Sequence, residues 1–272
     1  MVSEAAAVPS DAPPTARDRR LAIVVVGVLA GFLAGLFGVG GGILIVPGLV
    51  LAAGMDQRLA HGTSLAAVVP ISIASLATYA IHDHVDWAVG LWLSIGAVFG
   101  AVVGTRLLHV LPHRTLGLLF AATLIASAVR LFFDVDADGR GGLSVADVVL
   151  LVVIGLVTGI FAGLLGVGGG IVMVPAMILL FGVPPVDAKG TSAAVIIPTA
   201  LMGTWRNRRK SNADLHAAWI IGVAGIVTAA LGSVVADKLS DDVSNVLFAT
   251  LLGVVAARLL WQLRRPQADP VS

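Results

Sequence analysis

The sequence predicts an all-α fold, a polytopic helical membrane protein whose two homologous halves form an inverted repeat. Three observations support this prediction. The chain is 58% hydrophobic and only 12% charged, whereas a soluble domain carries roughly 25% charged residues. Two runs, Leu21–Met55 and Val148–Val183, contain no Asp, Glu, Lys or Arg and exceed the roughly 20 residues that span a bilayer. The third observation is an internal duplication.

The duplication covers most of the chain without a gap in register. Gly31–Pro47 reads GFLAGLFGVGGGILIVP and returns 128 positions later as Gly159–Pro175, GIFAGLLGVGGGIVMVP. The same offset relates the GTS triplet at 62–64 to the one at 190–192. Short helical repeats recur many times at periods of about 20–50 residues, so one long period seen twice indicates a duplicated half-molecule.

Five regions follow from these patterns. Residues 1–16 are mostly Ala, Pro and polar residues without periodicity, which is typical of disorder. The first apolar run is longer than the roughly 7–15 residues of a signal peptide, so we expect it to be retained. The predicted regions are a disordered tail at 1–20, a first transmembrane repeat at 21–133, an acidic central loop at 134–147, a second transmembrane repeat at 148–263 and a C-terminal tail at 264–272.

Each half contains one broken segment followed by three further spans. The first apolar run is too long for a single helix at about 1.5 Å per residue, and the glycine-rich stretch 38–42 interrupts it. We expect a helix, a glycine break and a second helix that restarts near Pro47. The remaining spans are predicted at about 62–82, 87–110 and 115–133, and the second half repeats the series at about 148–181, 190–206, 215–236 and 243–263.

The span at 87–110 carries small residues on one helical face. Gly96, Gly100 and Gly104 are spaced four residues apart. Small residues at this spacing let neighbouring helices approach closely in lipid, where water does not drive their association. We therefore expect a close helix contact along this face.

The loop charges predict opposite orientations for the two halves. The loop at 82–86 contains no Lys or Arg, whereas the equivalent loop of the second half is occupied by Arg206, Arg208, Arg209 and Lys210. Arginines also flank the apolar region at both ends of the chain. Because excess Lys and Arg mark cytoplasmic loops, equivalent loops should lie on opposite sides, with both termini in the cytoplasm. A bacterial inner membrane is the expected location.

Inverted halves need an odd number of crossings each, yet each half shows four apolar segments. A re-entrant first segment, which enters and leaves on one side, resolves this conflict. Non-helical backbone at membrane depth is tolerated only where protein or a water-filled cavity surrounds it, so the glycine break is expected at the centre of the molecule. The alternative, eight full crossings in two parallel halves, leaves the charge reversal unexplained.

The duplicated pattern GxxGxGGGxxxVP, followed in each half by Gly-Thr-Ser, resembles the sulfite exporter TauE/SafE family of membrane permeases. The resemblance covers about residues 21–263. It implies a permease, since members of that family are associated with the movement of sulfite, sulfoacetate, other organosulfonates and related small sulfur-containing anions. It implies neither a particular anion nor a set of binding residues.

The glycine breaks are the first candidate binding site. Consecutive glycines expose backbone N–H groups, and a helix that restarts after them directs the positive end of its dipole into the break. This arrangement suits an oxyanion; alternatively, the glycines only permit a tight turn and close packing. The candidate residues are Gly38, Gly40, Gly41 and Gly42 in the first half and Gly166, Gly168, Gly169 and Gly170 in the second.

Polar residues at the start of the next span form the second candidate. Their hydroxyls either donate hydrogen bonds to a bound anion or cap the helix that begins there, and both interpretations stay open. The basic residues just before them either attract an anionic substrate or simply lie at the membrane interface. The candidates are the hydroxyl residues Thr63, Ser64, Thr191 and Ser192 and the basic residues His61 and Lys189.

The predicted spans contain no Asp or Glu. Cation carriers commonly place carboxylates inside the membrane, so this core is better suited to an anion. The spans also lack paired carboxylates, a metal-ligand cluster and a Ser–His–Asp set, so neither catalysis, nor a metal, nor a cofactor is expected. The alternatives are a membrane-embedded enzyme and a non-transporting membrane partner protein. Coupling to a proton through His61, coupling to sodium, uncoupled passage and a homo-oligomeric state all stay open.

Three familiar motifs fail on inspection. The glycine breaks lack the strand–turn–helix context of a dinucleotide fingerprint, and Lys189–Thr191 (KGT) scrambles the P-loop order, so neither a nucleotide nor a nucleic acid is an expected partner. Asp134–Gly139 (DVDADG) opens like an EF-hand loop, but its twelfth position is Val145, where a bidentate Glu belongs. Asp147 would serve only with a two-residue insertion, so an acidic extramembrane loop is the preferred interpretation.

Overall fold

The structure is a computed structural model that describes residues 16–107 and 143–264, together with isolated positions between 118 and 129. All regular structure in these ranges is helical. Outside the described residues lie most of the predicted span 115–133, most of the acidic loop 134–147 with its three leading aspartates, and both ends of the chain.

The described residues form nine helices, eight of which pair at the offset of the sequence repeat. The pairs are α1 with α5, α2 with α6, α3 with α7, and α4 with α8. The helices are α1 (Ala16–Phe37), α2 (Gly42–Ala52), α3 (Gln57–Ile81), α4 (Trp87–Leu107), α5 (Val145–Leu165), α6 (Gly170–Phe181), α7 (Pro185–Arg208), α8 (Leu215–Lys238) and α9 (Asp241–Arg264).

Three helices begin earlier than the sequence predicts. The helix after the first glycine break begins at Gly42, and the expected restart near Pro47 is wrong because this proline lies inside α2. The helix α3 begins at Gln57 rather than 62, since the Asp56 carboxylate accepts a hydrogen bond from a first-turn N–H and caps the helix. The helix α7 begins at Pro185 rather than 190, because proline suits the first helical turn.

Two predicted region boundaries also move. The helix α1 begins at Ala16, inside the segment predicted as a disordered tail. The helix α5 begins at Val145, inside the predicted central loop, with Ser144 as its N-cap. The Ser144 hydroxyl accepts from the Asp147 N–H, and the Asp147 carboxylate accepts from the Ser144 N–H, which forms a capping box. Asp147 therefore lies in the first turn of α5 as a helix-capping residue and not in the loop.

Each half begins with a helix, a glycine break and a short returning helix. A Cβ on Gly41 would lie 2.6 Å from the Ala30 carbonyl oxygen, and one on Gly48 would lie 2.5 Å from Val26 Cγ2, so α2 runs back along α1. The helices α2 and α6 have 11 and 12 residues, about 16–18 Å, which is roughly half the thickness of a hydrocarbon core. Of the described helices, five are long and apolar enough to cross a membrane: α1, α3, α4, α5 and α8. The predicted broken first segment is confirmed.

Glycine-lined contacts join each half to the other. A Cβ on Gly27 of α1 would lie 2.6 Å from the carbonyl oxygen of Ile221 on α8. On α4, a Cβ at Gly96, Gly100 or Gly104 would clash with the backbone of α5. The close helix contact predicted for this face is thus confirmed. Small residues here let backbones touch, which is how helices gain packing energy in lipid.

The contacts between the halves are reciprocal. The first helix of each half packs on the fourth helix of the other, α1 on α8 and α5 on α4, which indicates a two-fold relation. The helices α3 and α7 are antiparallel, because Gly62 near the start of α3 contacts Asn212 just after α7, and Gly190 near the start of α7 contacts His84 just after α3. The equivalent helices α3 and α7 thus run in opposite directions, as an inverted repeat requires, and the inversion of the complete halves stays a prediction. The side of the membrane that each loop faces stays a prediction.

Candidate functional site

The two glycine breaks contact each other. A Cβ on Gly42 would lie 2.6 Å from the carbonyl oxygen of Gly166, and one on Gly170 would lie 2.5 Å from the carbonyl oxygen of Gly38. All eight candidate glycines are buried. The two breaks therefore meet inside the molecule.

Six of the candidate glycines have left-handed backbone conformation. Their φ values are 66°, 76° and 75° at Gly38, Gly40 and Gly41, and 68°, 83° and 86° at Gly166, Gly168 and Gly169. Residues with a Cβ pay roughly 1–2 kcal/mol to adopt this conformation. The glycines are therefore needed to make the turn, and any role in binding is additional to this structural one.

Gly40 and Gly168 face a shared pair of side chains. A Cβ on Gly40 would lie 3.0 Å from Val68 Cγ1 and 3.3 Å from Ile196 Cδ1, and one on Gly168 would lie 3.2 Å from Ile196 Cγ2 and 3.5 Å from Val68 Cγ1. Val68 and Ile196 are equivalent residues of α3 and α7. The two breaks thus enclose the place where corresponding residues of the halves come together.

The helices α2 and α6 both begin at these breaks without a side-chain cap. Their N-cap residues are Gly41 and Gly169, which have left-handed backbone and no side chain that can bond to the helix terminus. The first N–H groups of a helix have no partner within it, and the helix dipole adds partial positive charge at this end. Two uncapped helix starts at contacting breaks can stabilise an anion.

Ser64 and Ser192 connect each half to the break of the other. Ser64 donates to the carbonyl oxygen of Gly166, and the equivalent Ser192 donates to the carbonyl oxygen of Gly38, both at 2.8 Å. Gly166 is the C-cap of α5, so the serine satisfies a backbone acceptor at the end of the other half's first helix. These hydroxyl protons are used within the protein in this conformation.

Thr63 and Thr191 hold the start of a helix in the other half. Thr63 Oγ1 accepts from the Asp214 N–H and Thr191 Oγ1 accepts from the Asp86 N–H, both at 2.9 Å. Each aspartate directly precedes the fourth helix of its half. The alternative in which the threonines and serines cap their own helices is wrong, because they lie six or seven positions after the first residue of α3 and α7.

The two basic candidates lie beside the breaks. His61 is 6% exposed and Lys189 is 1% exposed, so the alternative of interfacial side chains is wrong. His61 Nδ1 lies 2.5 Å from the Leu165 carbonyl oxygen, which can only accept, so this nitrogen carries the proton. Lys189 Nζ donates to the Ser244 hydroxyl. The structure therefore brings all fourteen predicted residues to the two breaks or to the helices that contact them.

Three polar residues near this region were not predicted from the sequence. Ser72 and Ser75 are buried on α3, with hydroxyls that have no hydrogen-bond partner among the described residues. His84 follows α3 and contacts two carboxylates of the second half. At the repeat offset these positions are occupied by Ala200, Gly203 and Asn212. A comparison of the two halves for positions at which they differ would therefore have found Ser72, Ser75 and His84.

His84 forms a bridge between the halves. Its Nδ1–H donates to Asp187 at the start of α7 and its Nε2–H donates to Asp237 at the end of α8, each at 2.7 Å. Neutral imidazole has a single N–H, so the doubly bonded ring is an imidazolium. Partial burial lowers the pKa of His84, but the hydrogen bonds and charges of the two carboxylates outweigh it and raise the pKa above its usual range. We refer to these three residues as the His84 bridge.

Comparison with known proteins places this architecture among membrane transporters. The family model described as Sulfite exporter TauE/SafE matches residues 3–131 and 151–272. Probable membrane transporter protein YunE of Bacillus subtilis is 26% identical over 268 residues, covering 88% of this chain and 97% of that protein. A probable membrane transporter protein of Xylella fastidiosa is 29% identical over 243 residues, with 87% and 93% covered. Another, from Methanocaldococcus jannaschii, is 27% identical over 258 residues, with 88% and 94% covered. This chain therefore belongs to the sulfite exporter TauE/SafE family of membrane transporters.

Proposed function

We propose that this protein is a secondary permease for a small anion, and that the anion is sulfite, an organosulfonate or a related sulfur-containing anion. The observation that carries the proposal is the contact between two glycine breaks at which two helices begin without a side-chain cap. The family name supports the sulfur-containing class of substrate. Family membership also favours transport over the alternatives of a membrane-embedded enzyme and a non-transporting partner.

The electrostatic surroundings of the breaks support an anionic substrate. Lys189 is buried against Gly38, with the lysine Cα 2.6 Å from the position of a glycine Cβ. His61 occupies the equivalent place beside Gly166. Every described carboxylate lies in a loop or in the first or last turn of a helix, away from the middle of the spans. An anion entering the breaks thus meets backbone N–H groups, and the backbones of the two basic residues lie directly beside the breaks.

The reciprocal serine contacts between the halves fit a transporter that works by alternating access. Ser64 and Ser192 bond to the opposite breaks with the same geometry, so the two halves can rock against each other while the breaks remain at the pivot. Rocking of repeats around a fixed central site is the usual behaviour of transporters built in this way. We further propose that the protein lies in the bacterial inner membrane with cytoplasmic termini, on the basis of its loop charges.

Transport by the isolated protein tests the proposal. Purified protein in liposomes, with no other protein present, should move at least one of sulfite, thiosulfate, sulfoacetate or taurine faster than protein-free liposomes do. Chloride in the same assay measures selectivity for sulfur oxyanions over a simple halide. If folded, monodisperse protein moves none of the anions sulfite, thiosulfate and sulfoacetate, the proposed function is wrong; taurine, a zwitterion, tests whether a net charge is required.

A further inference from the structure

Ser72 and Ser75 present buried hydroxyls that the fold does not use. Each residue is 1% exposed, and neither Oγ has a hydrogen-bond partner among the described residues. They are three positions apart on α3, so they share a helical face. Buried polar groups are normally hydrogen-bonded, and an exception calls for an explanation.

Other buried hydroxyls of this protein show what is usual. Inside a helix, Ser and Thr commonly bond to the carbonyl four residues earlier. Ser233 donates to Ala229 at 3.0 Å, and Thr199 donates to Val195 at 2.8 Å. Ser72 and Ser75 make neither this local bond nor another one within the part of the chain that the structure describes. Their hydroxyls therefore remain available to a bound ligand.

The position of the pair links it to the glycine breaks. On the same helix, Val68 contacts both breaks at Gly40 and Gly168. Ser72 lies about one turn beyond Val68, and Ser75 about one turn further, at roughly 1.5 Å per residue. At the far end of this helix, Tyr79 donates to the Gly35 carbonyl oxygen at 2.6 Å, and the His84 bridge follows. The pair thus lies between the breaks and one end of the molecule.

The pair occurs in one half only. At the repeat offset, α7 has Ala200 and Gly203. The Leu65 side chain covers Gly203, where a Cβ would lie 2.8 Å from Leu65 Cδ1. Ala193 is the equivalent of Leu65, and Ser75 is the equivalent of Gly203. By the two-fold relation, Ser75 therefore faces the small Ala193 side chain where Gly203 faces a leucine. Packing alone would be served equally well by alanine at both serine positions.

We propose that Ser72 and Ser75 form an asymmetric subsite for the transported oxyanion, between the glycine breaks and the end of the molecule marked by the His84 bridge. This inference rests on the proposed function. Each hydroxyl donates a hydrogen bond to an oxygen of the anion, which removes the unmet hydrogen-bonding capacity of both groups. The positive ends of α2 and α6, which lie at the neighbouring breaks, favour an anion over a cation in this part of the molecule.

Binding and stability of alanine variants test the subsite. We would measure equilibrium binding of sulfite, thiosulfate and sulfoacetate to detergent-purified Ser72→Ala, Ser75→Ala and the double variant, and follow thermal unfolding of the same samples. For the anion that wild type binds best, each single variant should bind about tenfold to hundredfold more weakly, since one hydrogen bond to a charged group is lost, and the double variant should bind more weakly than either. The melting temperatures of the variants should not fall, because the removed hydroxyls have no hydrogen-bond partner among the described residues.

Ser233→Ala is the matched control, because the hydroxyl of this buried serine already has partners within the protein, the Ala229 carbonyl oxygen and the Tyr79 side chain. It should keep the affinity of wild type. Wild-type affinity in the double variant would overturn the subsite while leaving the proposed function intact. Failure of wild type to bind any of the three anions would overturn both. A loss of sodium-dependent binding, with sodium-free affinity unchanged, would assign the hydroxyls to a cation and also overturn the proposal.

Discussion

The His84 bridge should make the stability of the folded protein depend on pH. The two carboxylates raise the pKa of His84 in the folded state above the unfolded value of about 6.5. The bridge therefore stabilises the fold fully below about pH 6.5 and loses this effect as the pH rises through the folded pKa. Replacing His84 by Gln removes the charge and should abolish this part of the pH dependence.

The size of the effect follows from the geometry. The bridge has two charge-assisted hydrogen bonds of 2.7 Å whose side chains are 27–33% exposed, so solvent screens them. Pairs that are about one-third exposed contribute roughly 0.5–1 kcal/mol each, or about 1–2 kcal/mol together. For a protein of about 150–250 residues this corresponds to a melting temperature lower by about 2–8 °C. High salt should shrink the difference.

The assay compares melting temperatures of wild type and His84→Gln in detergent between pH 6 and pH 9. At pH 6 the variant should melt about 2–8 °C lower, and at pH 9 the two curves should converge. His82→Gln is the matched control: His82 is two positions away and exposed, and its ring bonds to a backbone carbonyl oxygen at 2.7 Å. A constant gap between wild type and His84→Gln at every pH, or no gap at pH 6, would refute the reasoning.

Three further predictions address topology, the breaks and the serines. Single cysteines at the equivalent, exposed positions His82 and Lys210 should react with a membrane-impermeant label from opposite sides of the membrane; labelling from one side would contradict the inverted repeat. Gly40→Ala and Gly54→Ala both place a Cβ at positive φ, but only the former meets neighbours within 4 Å, so both should lose about 1–2 kcal/mol of stability while only Gly40→Ala slows anion flux; equal flux in both would contradict a role for the breaks. Ser64→Ala leaves the Gly166 carbonyl without its donor and should cost about 1–3 kcal/mol of unfolding free energy; an unchanged melting temperature would show that this bond contributes nothing.

Much of the fold can be predicted from the sequence because the duplication shows which features the two halves share. The repeated glycine breaks predicted the centre of the molecule, and the small residues of α4 predicted a close helix contact. The starts of the helices are harder to predict from the sequence. With Asp56 as a cap and Pro185 in the first turn, α3 and α7 each begin five residues earlier than the hydrophobic pattern predicts. The effect of the cap and of the proline depends on local hydrogen bonds and backbone conformation, which hydrophobic pattern does not report.

The candidate site was predicted in part for the same reason. Comparing the halves finds what both share, such as Ser64 and its equivalent Ser192. It does not find what only one half has, such as Ser75 or His84. Their partners come from distant segments of the chain, and only the three-dimensional arrangement brings the His84 ring to Asp187. The residues that break the repeat are therefore the ones for which a structure is most informative.

The reciprocal glycine contacts also set an order of events during synthesis. The contact between α4 and α5 joins neighbouring segments of the chain, whereas α1 must wait for α8, about 190 residues later, which at roughly 5–20 residues per second is about 10–40 s of translation. During that interval the small-residue face of α1 has no helix to pack against, and only its hairpin with α2 is complete. A symmetrical product is thus assembled asymmetrically, and a chain stopped before α8 leaves its first helix exposed to lipid and to the quality-control machinery.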